Sequence, residues 1–93
     1  MNTQIKVSTI KEEPSFLFHV TVTNNGTDTV HSVSMSRSYY SGLSTKKQPW
    51  EVIEKSFRFL LDKETKEEIL AEFDIPIITR YYPEFKDFLK KEL

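Results

Sequence analysis

The chain has no cysteine. That absence excludes a disulfide scaffold, a thiolate zinc site, an iron–sulfur cluster and a cysteine nucleophile. Glycine is almost as scarce: Gly26 and Gly42 are the whole supply. No phosphate-cradling glycine loop can be built from two isolated residues. There are two histidines, His19 and His31, and neither sits in a metal-ligand or nucleophile motif. Charge of one sign is not in excess either. Thirteen Lys and Arg face fourteen Asp and Glu, for a net charge of −1. A dedicated nucleic-acid binder needs a surplus of Lys and Arg for phosphate contacts, so this balance argues against one. No apolar run approaches the roughly 20 residues that cross a bilayer. The opening stretch MNTQIKVSTIKEEP has no apolar core and no small-residue cleavage site, unlike a secretory signal. A cytoplasmic location with no membrane partner is therefore the expectation.

What the chain does have is rings. Seven Phe, four Tyr and one Trp stand among 93 residues. Aromatic side chains carry the largest burial per residue, so most of the twelve are expected in the core of one small domain spanning 1–93. The two halves differ in composition. Residues 1–45 hold fifteen Ser and Thr with three basic and three acidic residues; residues 46–93 hold ten basic and eleven acidic residues. Period-two alternation in the first half reads as strands, and charges interleaved with apolar residues in the second read as helices.

Phe16 to Thr23 alternates throughout, with Phe16, Phe18, Val20 and Val22 on one face. Asn25-Gly26 follows, the pair that suits a type I′ turn. A two-residue turn there sets Phe16 opposite Met35, Phe18 opposite Val33 and Val20 opposite His31. A slip of one residue would separate these apolar faces. An earlier strand over roughly 3–10, with Ile5 and Val7 on one face, completes a meander over 1–38. Residues 39–48 read as a crossover, and 49–93 as the helical part. Pro49 opens a helix with Trp50, Ile53, Phe57, Leu60 and Leu61 on one stripe. Thr65-Lys-Glu-Glu68 has the capping-box form and predicts a second helix carrying Ile69, Leu70 and Phe73. Pro76 and Pro83 open two more short helices. The fold class is α+β: an N-terminal three-stranded antiparallel meander, one face covered by three to four C-terminal helices.

The chemistry in this framework is thin. The two-residue turn puts His19 on the polar face and His31 on the apolar face, whereas a three-residue loop would set them side by side as a metal pair. His31 reads as a buried imidazole satisfied by a backbone or hydroxyl partner. Its sharper alternative is a general base working with Arg37 or Tyr39 in a small His-dependent enzyme or ligand-binding protein. Lys66 to Tyr82 can be read as a helix–turn–helix of a nucleic-acid regulator, but Glu64, Glu67, Glu68, Glu72 and Asp74 around it would repel phosphates. Glu64, Glu67, Glu68 and Glu72 read as a solvated helix face partnered by Lys63 and Lys66. Tyr39, Tyr40, Arg80, Tyr81, Tyr82 and Phe85 are residue types that dominate interface energies, and they lie in connections and short helices where rings are half exposed. They form the candidate surface for a protein partner or a homodimer. No catalytic residue, metal ligand or cofactor is expected.

Three segments together carry a resemblance: Thr29-Val-His-Ser-Val-Ser-Met35, Ser56-Phe-Arg-Phe-Leu-Leu-Asp-Lys-Glu64, and Ile69-Leu-Ala-Glu-Phe-Asp-Ile75 running into Ile78-Thr-Arg-Tyr-Tyr-Pro-Glu-Phe85. Over residues 16–85 the chain resembles a family of small uncharacterised bacterial proteins with a strand hairpin and a helical tail ending in Tyr-Pro-Glu-Phe. The resemblance implies a free-standing bacterial domain and carries over no activity, ligand or site residue.

Overall fold

A computed structural model describes residues 2–93. Three strands come first: β1 (Gln4–Lys11), β2 (Phe16–Asn24) and β3 (Thr27–Met35). They form an antiparallel meander. The turn between β2 and β3 has φ 52° at Asn25 and 79° at Gly26, the positive pair that a type I′ turn requires. It fixes the expected register: Phe16 opposes Met35, Phe18 opposes Val33 and Val20 opposes His31. All six of these side chains are buried. The opposite face, carrying Lys6, Ser8, His19 and Val30, is open to solvent.

A short helix α1 (Arg37–Gly42) follows β3, where the sequence reading placed only irregular crossover. Ser36 nucleates it by accepting a hydrogen bond from the Tyr39 amide at 3.0 Å. The long helix α2 (Pro49–Lys63) then crosses the covered face, with Pro49 in its first turn. Its buried set is Val52, Ile53, Ser56, Phe57, Phe59 and Leu60. The Ser56 hydroxyl is satisfied by donating to the Val52 carbonyl at 2.7 Å. Trp50, expected on the core stripe, is instead exposed. The apolar arc is rotated because α2 is covered on two sides. Phe57 meets His31 and Phe73 at ring distances of 5.3 and 5.9 Å. Phe59 meets Phe85 and Phe88 of the last helix at 5.1 and 5.0 Å.

The predicted helix from Thr65 does not form. The capping-box bond is made, with the Thr65 amide donating to Glu68 Oε1 at 2.8 Å. The chain then completes a single turn and extends into β4 (Glu72–Asp74), which adds to β3 in parallel. The Ser32 amide donates to the Ala71 carbonyl at 2.7 Å and the Ile75 amide to the Ser34 carbonyl at 3.0 Å. A helix here would have left the outer edge of β3 bare beside the core. Strand pairing satisfies that edge and still buries Ile69 and Ile75. The sheet therefore has four strands in the order β1-β2-β3-β4. Two short helices close the fold, α3 (Ile77–Tyr81) and α4 (Phe85–Glu92), each beginning just after a proline as the sequence predicts.

Candidate functional site

Where β4, α3 and the end of α2 converge, a cleft of about 290 Å³ opens. Leu60, Ile69, Phe73 and Ile78 form its floor, and Glu64, Glu68, Leu70, Tyr81 and Tyr82 form its walls. The floor residues are core side chains seen edge-on, so the cleft is where the core comes to the surface. Two walls are apolar and unusually open: Leu70 is 49% exposed and Tyr81 65% exposed. Neither side chain belongs to the buried core or to the partly buried residues packed against it.

The position of Leu70 is set by His31. Its imidazole is buried, with Nδ1 2.8 Å from the Leu70 carbonyl and Nε2 2.8 Å from the Thr29 hydroxyl. A carbonyl can only accept, so Nδ1 carries the proton donated to Leu70. The imidazole thus ties the start of β4 to β3 and fixes the cleft's rim.

The other wall is held by Tyr82, whose hydroxyl donates to Glu64. That bond to the carboxylate holds the phenol above its ordinary ionisation range, with burial and the Glu64 charge adding to the effect. The lysines around the cleft are already engaged. Lys63 pairs with Glu84 at 3.3 Å, and Lys66 with Glu67 at 2.8 Å. The Glu84 carboxyl is held below its usual range, first by a backbone hydrogen bond and then by Lys63. The Glu67 carboxyl is held down by its bond to Lys66. Glu64 and Glu68 make no ion pair among the described residues. The cleft is therefore apolar at its base and negative at its rim.

The predicted surface residues divide. Tyr81 and Tyr82 line the cleft. Arg80 is exposed but lies outside its lining. Tyr39 and Tyr40 are half-buried on α1, away from it. Tyr40 packs edge-on against Phe16 at 5.6 Å and donates to the Lys47 carbonyl at 2.7 Å. Phe85 belongs to no surface: it is fully buried against Phe59. The residue after Pro83-Glu84 is the first on the inner face of α4, so its ring points into the core. His31 and Arg37 are not brought together. Arg37 donates to the Glu12 carbonyl and lies over the Phe16 ring, while His31 is held by Thr29 and Leu70.

The helix–turn–helix reading of Lys66 to Tyr82 fails, because that span is a turn, a strand and a five-residue helix. His19 and His31 lie on opposite faces of the sheet, one exposed and one buried. Leu70, Glu64 and Glu68 were missed as site residues because a helix from Thr65 would have turned Leu70 inward and spread the glutamates over a solvated face. The only signal for them was the capping box itself, whose Glu68 bond survives in the turn. No family model matches the chain, and no curated protein or solved structure matches it either.

Proposed function

We propose that this chain is a small protein-binding domain that acts by contact rather than by catalysis. Its contact site is the Leu70–Tyr81 cleft, and its partner presents an apolar side chain flanked by Lys or Arg. The observation that carries this reading is the pairing of two exposed apolar walls with two carboxylates that make no ion pair among the described residues. An apolar anchor would fill the cleft, and a basic neighbour would meet Glu64 and Glu68. The engagement of both His31 nitrogens within the core supports contact over histidine-based catalysis, since a general base must reach its substrate.

Selection of a displayed random peptide library against the chain tests the reading. The expected outcome is enrichment of peptides with one large apolar residue next to Lys or Arg. Leu70→Ala with Tyr81→Ala should weaken such peptides about tenfold or more, the effect of losing an interface anchor. Glu68→Lys should shift selection away from basic residues. Peptides without this pattern, or peptides that bind the double variant equally, would overturn the proposal. Sedimentation equilibrium of the chain alone separates a foreign partner from a second copy. A monomer that binds peptide supports the reading, and a dimer that excludes peptide from the cleft replaces it.

A further inference from the structure

The strand order β1-β2-β3-β4 puts β1 and β4 at the two edges of the sheet. β4 is three residues long and carries Glu72 and Asp74, which makes it a poor template for another strand. β1 is eight residues long and contains no proline. Its Ile5, Val7 and Thr9 lie opposite Val22, Val20 and Phe18 on the core side, and Lys6 and Ser8 lie on the open side. The turn at Asn25-Gly26 fixes which backbone groups of β1 point outward. A two-residue turn makes Asn24 and Thr27 the first hydrogen-bonded pair, so Val22, Val20 and Phe18 also turn their amides and carbonyls toward β3. Thr23, Thr21 and His19 turn theirs toward β1, where they meet Gln4, Lys6 and Ser8. The same alternation requires Ser32 and Ser34 to face β4, and the Ser32 amide and the Ser34 carbonyl do bond on that side. The amides and carbonyls of Ile5, Val7 and Thr9 therefore point away from the sheet, where β1 has no neighbouring strand among the described residues.

We propose that a second copy of this chain pairs with this edge, β1 antiparallel to β1 about a symmetry axis at Val7. Outward groups must meet outward groups, which limits the axis to Lys6, Val7 or Ser8 near the strand's centre. An axis at Lys6 would set two ammonium groups directly opposite each other, which is destabilising. An axis at Ser8 would carry the pairing into the Thr9–Lys11 step, where β1 is irregular. An axis at Val7 pairs Ile5 with Thr9 of the second copy and Val7 with its own counterpart, so all the outward groups of Ile5, Val7 and Thr9 are used. Lys6 then faces Ser8 of the second copy. The half-buried Ile5 and Val7 gain cover from their counterparts. This self-complementarity commits the edge to a second copy, because a symmetric pair closes both β1 edges at once. The pairing leaves the Leu70–Tyr81 cleft open, since no β1 residue lines it and it lies at the β4 edge.

Sedimentation over a range of concentrations, with amide exchange followed by NMR, tests the pairing. The chain should dimerise reversibly. Exchange at the Ile5, Val7 and Thr9 amides should slow as the dimer fraction rises, while the Lys6 and Ser8 amides, bonded to β2, are slow at every concentration. Ser8→Lys, at an exposed position, puts a cation opposite Lys6 at both symmetric places and should raise the dimer Kd about fivefold. Adding Lys6→Glu to Ser8→Lys restores opposite charges and should bring the affinity back. Thr9→Pro removes a donor that makes no strand bond within the monomer, at an edge position where proline is tolerated. It should abolish the dimer, keep the β2–β3 amides protected and leave peptide binding at the Leu70–Tyr81 cleft unchanged, which separates this pairing from the proposed function. A chain that stays monomeric across the range would overturn the proposal. So would a dimer indifferent to both Ser8→Lys and Thr9→Pro, or β1 amides that slow only when an extended peptide of another sequence is added.

Discussion

At the scale of single residues, two side chains fix the Leu70–Tyr81 cleft, and each can be interrogated alone. His31 holds the Leu70 carbonyl from inside the core. His31→Phe keeps the ring against Phe57 but removes the donor to the Leu70 carbonyl. Loss of one such hydrogen bond costs about 0.5–1.5 kcal/mol, and chemical unfolding should register it. Amide exchange at Ser32, which donates to the Ala71 carbonyl, should rise at the same time because the β3–β4 junction is loosened. Unchanged stability would mean that the imidazole does not hold β4. Tyr82 is the second such residue. Its phenol and that of Tyr39 are held above the ordinary value of 10.0. A raised folded-state value means that the folded chain keeps these protons longer than the unfolded chain. The stability this confers is complete below about pH 10 and is lost as pH rises through the folded-state values. Ultraviolet titration should show two late-ionising phenols, and Glu64→Gln should move the Tyr82 transition back toward the ordinary range. A titration curve unaltered by Glu64→Gln would dismiss the Tyr82–Glu64 bond.

Among the elements, the β2–β3 hairpin sets the register for the whole sheet. Gly26 has φ +79° with open space around its Cβ position. Gly26→Ala therefore meets no clash and isolates the backbone cost, about 1–2 kcal/mol for an L residue in the left-handed region. At this chain length each kcal/mol lowers Tm by about 4–8 °C. A calorimetric scan checks this, and a negligible shift would argue for a different turn. The hairpin was legible in the sequence because every cue agreed: alternation in Phe16–Thr23, the Asn-Gly pair, and apolar residues opposite one another in a single register. Residues 65–75 were not legible because their cues conflict. The capping box and the spacing of Ile69, Leu70 and Phe73 favour a helix locally. The decision is made by an unpaired edge on β3, some forty residues earlier, which no local pattern can express. The same nonlocality hid Trp50, whose exposure follows from how α2 is flanked by both the sheet and α4. It also hid the rim of the cleft, since Glu64, Glu68 and Leu70 converge only once β4 has formed.

For the whole molecule, the aromatic residues divide between a small core and the surface. Phe16, Phe18, Phe57, Phe59 and Phe85 are buried, while Trp50 and Tyr81 are exposed. Total stability for a domain is about 5–15 kcal/mol, so a single core ring is a large fraction of it. Phe85→Ala should cost about 3–5 kcal/mol, because its ring is enclosed by Phe59 and α4 and the vacated space cannot collapse fully. Tyr81→Ala, four residues earlier on the far side of Pro83 in the chain order, removes a ring that is 65% exposed. It should change stability by no more than about 0.5 kcal/mol, as surface substitutions do. Parallel urea unfolding of the two variants separates a structural ring from one that is free to meet a partner. A Tyr81→Ala loss approaching that of Phe85→Ala would make Tyr81 part of the scaffold. The apolar wall of the cleft would then be explained by the fold, and the case for a partner there would fall with it.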